Sequence, residues 1–143
     1  MSLYSIARRT SVGSTSTAAH TLITSATERA FLLEAGIFMA TATASTFGLG
    51  QNAGVGSTAT SPVALLAENS GDVATSVTQS ALAWASTPSV PANFHRRWAS
   101  PATIGTGVIF TFPRGIGIPI SVNYSLWNLA VNGVVDSYFV IDE

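Results

Sequence analysis

Ile118-Pro119-Ile120-Ser121-Val122-Asn123-Tyr124-Ser125-Leu126 alternates apolar and polar residues with a period of two. That period places one set of side chains on each face of a β-strand. A second alternating run lies nearer the C-terminus, with Val135, Ser137, Phe139 and Ile141 set against Asp136, Tyr138, Val140 and Asp142. Between them lies Asn132-Gly133, a dipeptide suited to the positive φ angles of a type I′ turn. The reading from these residues is a C-terminal hairpin, Leu126 to Val131 paired with Val134 to Phe139.

Working outward, further strands are predicted at Ala30 to Thr41, at Ser76 to Trp84, and at Gly107 to Phe112, where Val108, Phe110 and Phe112 share a face. Ser2 to Ser11 and His20 to Thr27 give weaker strand signals, and Pro62 to Ala67 reads as a short strand or one helical turn. Gly13 to Thr17, Gly48 to Thr60, Asn69 to Asp72 and Ser86 to Asn93 are rich in turn-forming residues. Seven or eight short strands with such spacing imply an all-β antiparallel sandwich, jelly-roll-like, with long Gly/Ser/Thr-rich loops. No segment shows a sustained helical period, which argues against α/β architecture. The 143 residues read as one domain, with 1–17 and 41–60 as extended arms or loops.

Composition narrows the function. Hydrophobic residues make up 47% of the chain and charged residues only 9%, against about 25% charged in ordinary domains. Hydroxyl side chains must wet whatever surface is free, and so weakly charged a surface tends to associate. All six cations are arginine, whose guanidinium suits interfaces better than the ammonium of lysine. A net charge of -1 speaks against a phosphate-binding surface, hence no nucleic-acid partner is expected. There is no cysteine, and no apolar run reaches the length of a membrane helix, so neither thiolate chemistry nor a membrane partner is expected.

Chemical motifs fare poorly. Gly48-Leu49-Gly50-Gln51-Asn52-Ala53 matches a dinucleotide-binding pattern, with Glu68 in the position of the ribose acid, but Gly54-Val55-Gly56-Ser57-Thr58 immediately after it would start a helix badly. A flexible loop is the expectation. His20 and His95 are the only histidines and are read as surface or interface residues. No nucleophile-elbow motif accompanies them, and scattered acids give no metal spacing. No catalytic residue, cofactor or metal is therefore assigned. Asn123-Tyr124-Ser125 fits a glycosylation acceptor pattern but falls inside a predicted strand.

Phe94-His95-Arg96-Arg97-Trp98 concentrates the aromatic and arginine side chains typical of binding hot spots. On a strand, Phe94, Arg96 and Trp98 would share one face. Arg8 and Arg9, or Glu28 and Arg29, are candidates for salt bridges between subunits. The expected interface set is Arg8, Arg9, Phe94, Arg96, Arg97 and Trp98, the alternative being that Phe94 and Trp98 are core residues of an edge strand.

Three stretches carry a resemblance to a known family: Leu3-Tyr4-Ser5-Ile6-Ala7-Arg8-Arg9-Thr10-Ser11-Val12-Gly13, then Glu28-Arg29-Ala30-Phe31-Leu32-Leu33-Glu34-Ala35-Gly36-Ile37-Phe38, then Val135-Asp136-Ser137-Tyr138-Phe139-Val140-Ile141-Asp142-Glu143. The chain resembles small virion proteins of tailed bacteriophages. The resemblance implies a non-enzymatic capsid cement or decoration protein, made in the host cytoplasm and placed on the virion surface. It would bind between copies of a major capsid protein and associate with itself, a trimer being favoured. A tail, baseplate or head-fibre component, or a lectin-like adhesin for the host surface, is the alternative.

Overall fold

The structure is a computed structural model, described over residues 2–11, 17–53, 58–131 and 133–143. Its strands, in chain order, are β1 (Leu3–Arg9), β2 (Thr17–Ile23), β3 (Ala30–Met39), β4 (Ser45–Gln51), β5 (Thr58–Thr60), β6 (Val63–Ala67), β7 (Thr75–Ala81), β8 (Ala83–Ser86), β9 (Arg96–Ser100), β10 (Gly107–Ile118), β11 (Asn123–Ala130) and β12 (Val135–Asp142). All pairings are antiparallel.

Eight of these strands form two facing sets, β1-β12-β3-β10 and β2-β11-β4-β9. The chain changes set at every step from β1 to β4 and again from β9 to β12. That alternation is the double Greek key of a jelly roll, as expected. The other four strands belong to one long insertion between β4 and β9. Its β6–β7 hairpin lies between β1 and β2 and joins the two sets along one side. On the opposite side β9 and β10 are the free ends of the strand order, so the sandwich stays open there. The β5–β8 ribbon stands apart from the main sheet.

Burial explains the pairing. In β12, Val135, Ser137, Phe139 and Ile141 are buried and the residues between them are partly exposed. They meet Leu22, Leu49 and Leu126 from the facing set in one core with Ile37, Leu32 and Phe47. Burying each such apolar side chain contributes roughly 1.5–3 kcal/mol. Inward positions of β10 include Val108, Phe110 and Phe112, as their shared face predicted.

The predicted C-terminal hairpin does not form. β11 pairs with β2 and β4, and β12 pairs with β1 and β3. Both strands are interior to different sets, so neither has an edge left for the other. Asn132 lies outside the described residues. Gly133 is buried, and a Cβ there would sit 2.5 Å from Met39 Cε and 2.6 Å from Ser45 Oγ. This glycine answers to packing. Val131, two residues before it, adopts φ 49°, an uncommon value for a β-branched residue.

Other expectations are corrected in the same way. The alternating run Ile118 to Leu126 is two strands with a turn between them. Ser121 has φ 55°, and the Thr24 hydroxyl donates to the Pro119 carbonyl (2.6 Å) while accepting from the Val122 N–H (3.0 Å). Ser76 to Trp84 divides into β7 and β8. Within 1–17, Leu3–Arg9 is no arm, since β1 pairs on both sides. Within 41–60, Ser45–Gln51 is an interior strand between β11 and β9. Residues 12–16 and 54–57 of those stretches lie outside the described residues.

Gly48 and Gly50, read as loop, are in β4 because an aromatic ring lies over them. A Cβ on Gly48 would be 2.6 Å from Phe94 Cδ1. Gly36 of β3 is covered likewise, since a Cβ there would overlap the Tyr138 ring at Cε1. The Tyr138 hydroxyl donates to Glu34 Oε1. Burial, and then the bond and charge of Glu34, push the Tyr138 phenol up to about 12.

Gly36→Ala is expected to lower stability by about 1–3 kcal/mol, as for other overpacked sites. Tyr138→Ala opens the space, so the double variant should lose clearly less than the sum of the two single losses in a denaturant-unfolding cycle. Simple additivity would show that the ring does not fix this position.

Candidate assembly surface

The Phe94 to Trp98 segment bends before β9 begins, so its aromatics part company. Trp98 turns inward, stacks on Phe47 with ring centroids 6.1 Å apart, and packs against the core. Phe94 lies on the other face of β4, over Gly48 and Gly50. The expected shared face of Phe94, Arg96 and Trp98 is therefore broken. The His95 N–H donates to the Leu49 carbonyl at 2.8 Å, which carries the chain from one face to the other.

The two arginines follow the split. The Arg96 guanidinium lies 5.2 Å from the centroid of Phe112, on β10, and so spans the open side between β9 and β10. It also donates to the His95 carbonyl at 2.8 Å. Arg97 lies 5.9 Å from the Phe94 ring. Cation–π contacts of this kind contribute about 0.5–1 kcal/mol at exposed sites. They hold the side chains without neutralising their charge.

The remaining two residues of the expected set are engaged within the chain. Arg9 forms a forked pair with Asp136, both contacts 2.7 Å. This pair joins neighbouring strands of one subunit, contrary to the expected intersubunit role. It raises the Arg9 pKa and lowers that of Asp136, through the hydrogen bond first in both cases. Arg8 donates to the Ser80 carbonyl at 3.1 Å. Of the six expected residues, Arg96 and Arg97 keep an exposed charge with no acid beside it, and neither enters an ion pair among the described residues.

Both histidines contact hydroxyl groups. His20, expected at the surface, is fully buried. Its Nδ1 is 2.7 Å from Ser137 Oγ and its Nε2 is 2.8 Å from Ser80 Oγ. With Phe139 packed 4.6 Å from it, the ring joins β2 to β12 and β7 across the interior. A neutral imidazole can donate one of these bonds and accept the other. Burial, and then the charge of Arg8, lower its pKa to about 3. His95 is exposed and its Nδ1 contacts the Tyr124 hydroxyl at 3.0 Å. Burial holds the Tyr124 phenol well above its usual range. Among the described residues no three His, Asp or Glu side chains converge as metal ligands.

The outside of the two sets differs. The β2-β11-β4 surface is covered by the insertion. Asn52 accepts from the Ser125 hydroxyl at 2.6 Å, Pro91 and Phe94 lie against Gly50, and Ala53 bridges to Ser89. Among the described residues no comparable layer covers the hairpin side or the open side. Val63, Leu66, Val73 and Val77 are exposed on or beside the β6–β7 hairpin, while Ile104 and Ile109 are exposed on the open side. Sequence reasoning missed the first group. Its only trace is the unbroken apolar run Val63-Ala64-Leu65-Leu66-Ala67, in which Leu65 faces the core and Leu66 faces away.

Comparison with protein-family models, with characterised proteins and with solved structures finds no match to this chain.

The buried His20 gives an acid sensitivity of defined sign. Its folded pKa lies below the unfolded value of about 6.5, so the unfolded chain binds the extra proton between these limits. The neutral ring costs nothing above pH 6.5, and stability falls by up to about 1.4 kcal/mol for each pH unit from there toward pH 3. Urea unfolding from about pH 7 to about pH 4 should show this slope, and His20→Gln should flatten it while lowering stability at neutral pH. An unchanged slope in the variant would assign the acid sensitivity to other groups.

Proposed function

We propose that the chain is a structural subunit of a tailed-phage virion, a cement or decoration protein that works by contact and performs no chemistry. It binds between major capsid proteins and against further copies of itself, a trimer being the favoured order. The observation that carries this reading is the combination of very low charge with exposed apolar side chains on two uncovered sides, Val63, Leu66, Val73 and Val77 on one and Ile104 and Ile109 on the other. Exposed apolar groups of this kind mark contact sites. The jelly roll supports the reading only as a scaffold, because this fold also serves lectins and other proteins.

The physical mechanism is added contact area. Apolar surface removed from water contributes roughly 25 cal/mol per Å² before the costs of association. Repetition over a symmetric shell turns weak contacts into firm attachment, since each bound copy places the next at high local concentration.

A lectin-like reading has one observation in its favour. A cavity of about 200 Å³ is lined by Ser11, Thr17, Trp84, Thr87 and Asn128, among others, and the buried Trp84 Nε1–H has no hydrogen-bond partner among the described residues. Binding of the purified protein on a glycan array, abolished by Trp84→Ala, would establish that reading in place of assembly.

The cement reading expects a solution mass that rises with concentration to a defined oligomer. It also expects shells lacking the protein to rupture at lower temperature, and to recover when it is added back. Leu66→Asp with Val77→Asp should abolish the oligomer and leave the melting temperature within a few degrees, because both side chains face outward. A strict monomer that leaves shell stability untouched would overturn the proposal, and density for the protein on tails or fibres of intact particles would move it there.

A further inference from the structure

Resting on the assembly reading above, we infer that two copies of this chain join along the free edge of β10, residues Gly107 to Thr111 of one pairing antiparallel with the same residues of the other. Within the chain β10 pairs with β3 alone. The direction of its main-chain groups follows from the bonds around it. The Met39 N–H donates to the Thr106 carbonyl at 2.8 Å, while the next N–H, of Ala40, donates to the Val134 carbonyl on the β12 side. Main-chain groups point to alternate sides along a strand. Thr106, Val108 and Phe110 therefore address β3, and Gly107, Ile109 and Thr111 turn their N–H and C=O groups away from it. Among the described residues no strand or side chain meets those outward groups.

Unpaired edges are normally guarded by charge, proline or a bulge. Both terminal strands carry such guards except over this stretch. β9 has Arg96 and Arg97 within five residues. β10 has Pro113 and Arg114 in a bulge, where the register against β3 shifts between Thr111 and Ile116 and Gly115 takes φ 65°. Gly107-Val108-Ile109-Phe110-Thr111 has no charge, no proline and no shift of register. Glu34, across from Thr111 on β3, lies one strand in from the edge and is held by the Tyr138 hydroxyl.

The core is incomplete at the same place. Val108 and Phe110 point inward yet are only partly buried, and Ile109, on the outer face, is 52% exposed. The strand that fits here is extended and uncharged, with apolar side chains at alternate positions. β10 of a second copy has that chemistry. A twofold pair centred on Ile109 sets Ile109 against Ile109 and Gly107 against Thr111, and each facing pair exchanges its N–H···O bonds. In the same register Val108 lies opposite Phe110 of the second copy on the inner face, so each apolar flank covers the other. The pairing is short, and a lone two-stranded ribbon is marginally stable in water. It therefore joins copies already held together, doubling the mass of an existing oligomer through several such contacts at once.

Light scattering and sedimentation at rising concentration should show the wild-type oligomer doubling in mass. Ile109→Lys sets like charges directly opposite each other and should weaken doubling about tenfold or more. Ile109→Glu should do the same, and an equal mixture of the two variants should double again, because the twofold register then opposes unlike charges. Ile109→Pro removes an outward N–H and should also prevent doubling. Each variant should keep the undoubled oligomer, and the charged ones should melt within a few degrees of wild type because this side chain is exposed. Amide exchange needs no variant: the Ile109 N–H should slow as the oligomer doubles, whereas that of Val108 should be slow throughout. Doubling that persists in all three variants, charged variants that fail to recombine although folded, an Ile109 amide that stays fast in the doubled particle, or a wild-type oligomer that never doubles would overturn the β10 pairing and leave the assembly reading standing. A wild-type protein that never associates would overturn both.

Discussion

Everything in this fold depends on β12 finding β1 and β3 rather than its sequence neighbour. Leu3 pairs across from Asp142, and Arg9 across from Asp136. On its other side β12 runs along β3 from Val135 opposite Met39 to Asp142 opposite Phe31. Two full-length ladders and four buried side chains reward this placement. A local hairpin with β11 would give one ladder and leave β3 and β1 unpaired where they now meet β12. The same competition places β11 between β2 and β4, and from these two choices the jelly-roll order follows.

The sandwich is fastened differently along its two sides. The hairpin side has continuous strand pairing from β1 through β6 and β7 to β2. Behind it lies a polar interior, with His20 held by Ser80 and Ser137. The open side has no such ladder; there the Arg96 guanidinium lies over Phe112, and Trp98 packs with Val108 and Phe110 against the common core. Edge strands left unpaired invite association with other chains, and here they carry most of the uncompensated positive charge.

Strand character was legible wherever alternation was local. Val135 to Ile141 and Val108 to Phe112 face inward as their spacing implies. Partners were not legible, because Asn132-Gly133 speaks of neighbours along the chain while the pairing is settled by burial between distant segments. Glycine misled for a related reason. Gly48 and Gly50 looked like loop chemistry, and only the ring of Phe94, far along the chain, explains them in a strand. For the site, the aromatic and arginine content of Phe94 to Trp98 pointed to a region where Arg96 and Arg97 do keep an exposed charge. Which side of β4 each ring would take could not be read, since it turns on a bend at His95. Burial of His20 was hidden too, because its two hydroxyl partners lie in strands remote from it.

The position of β1 also governs the order in which the molecule can be made. It is an interior strand, yet its longest ladder is with the last strand of the sequence. A chain emerging from the ribosome must carry β1 and the apolar flank of β3 without that partner until β12 has been synthesised. Folds dominated by such distant pairings reach the native state in milliseconds to seconds, against microseconds for local ones. Dilute charge offers the waiting chain little repulsion from its siblings, so productive folding competes with clumping during that interval.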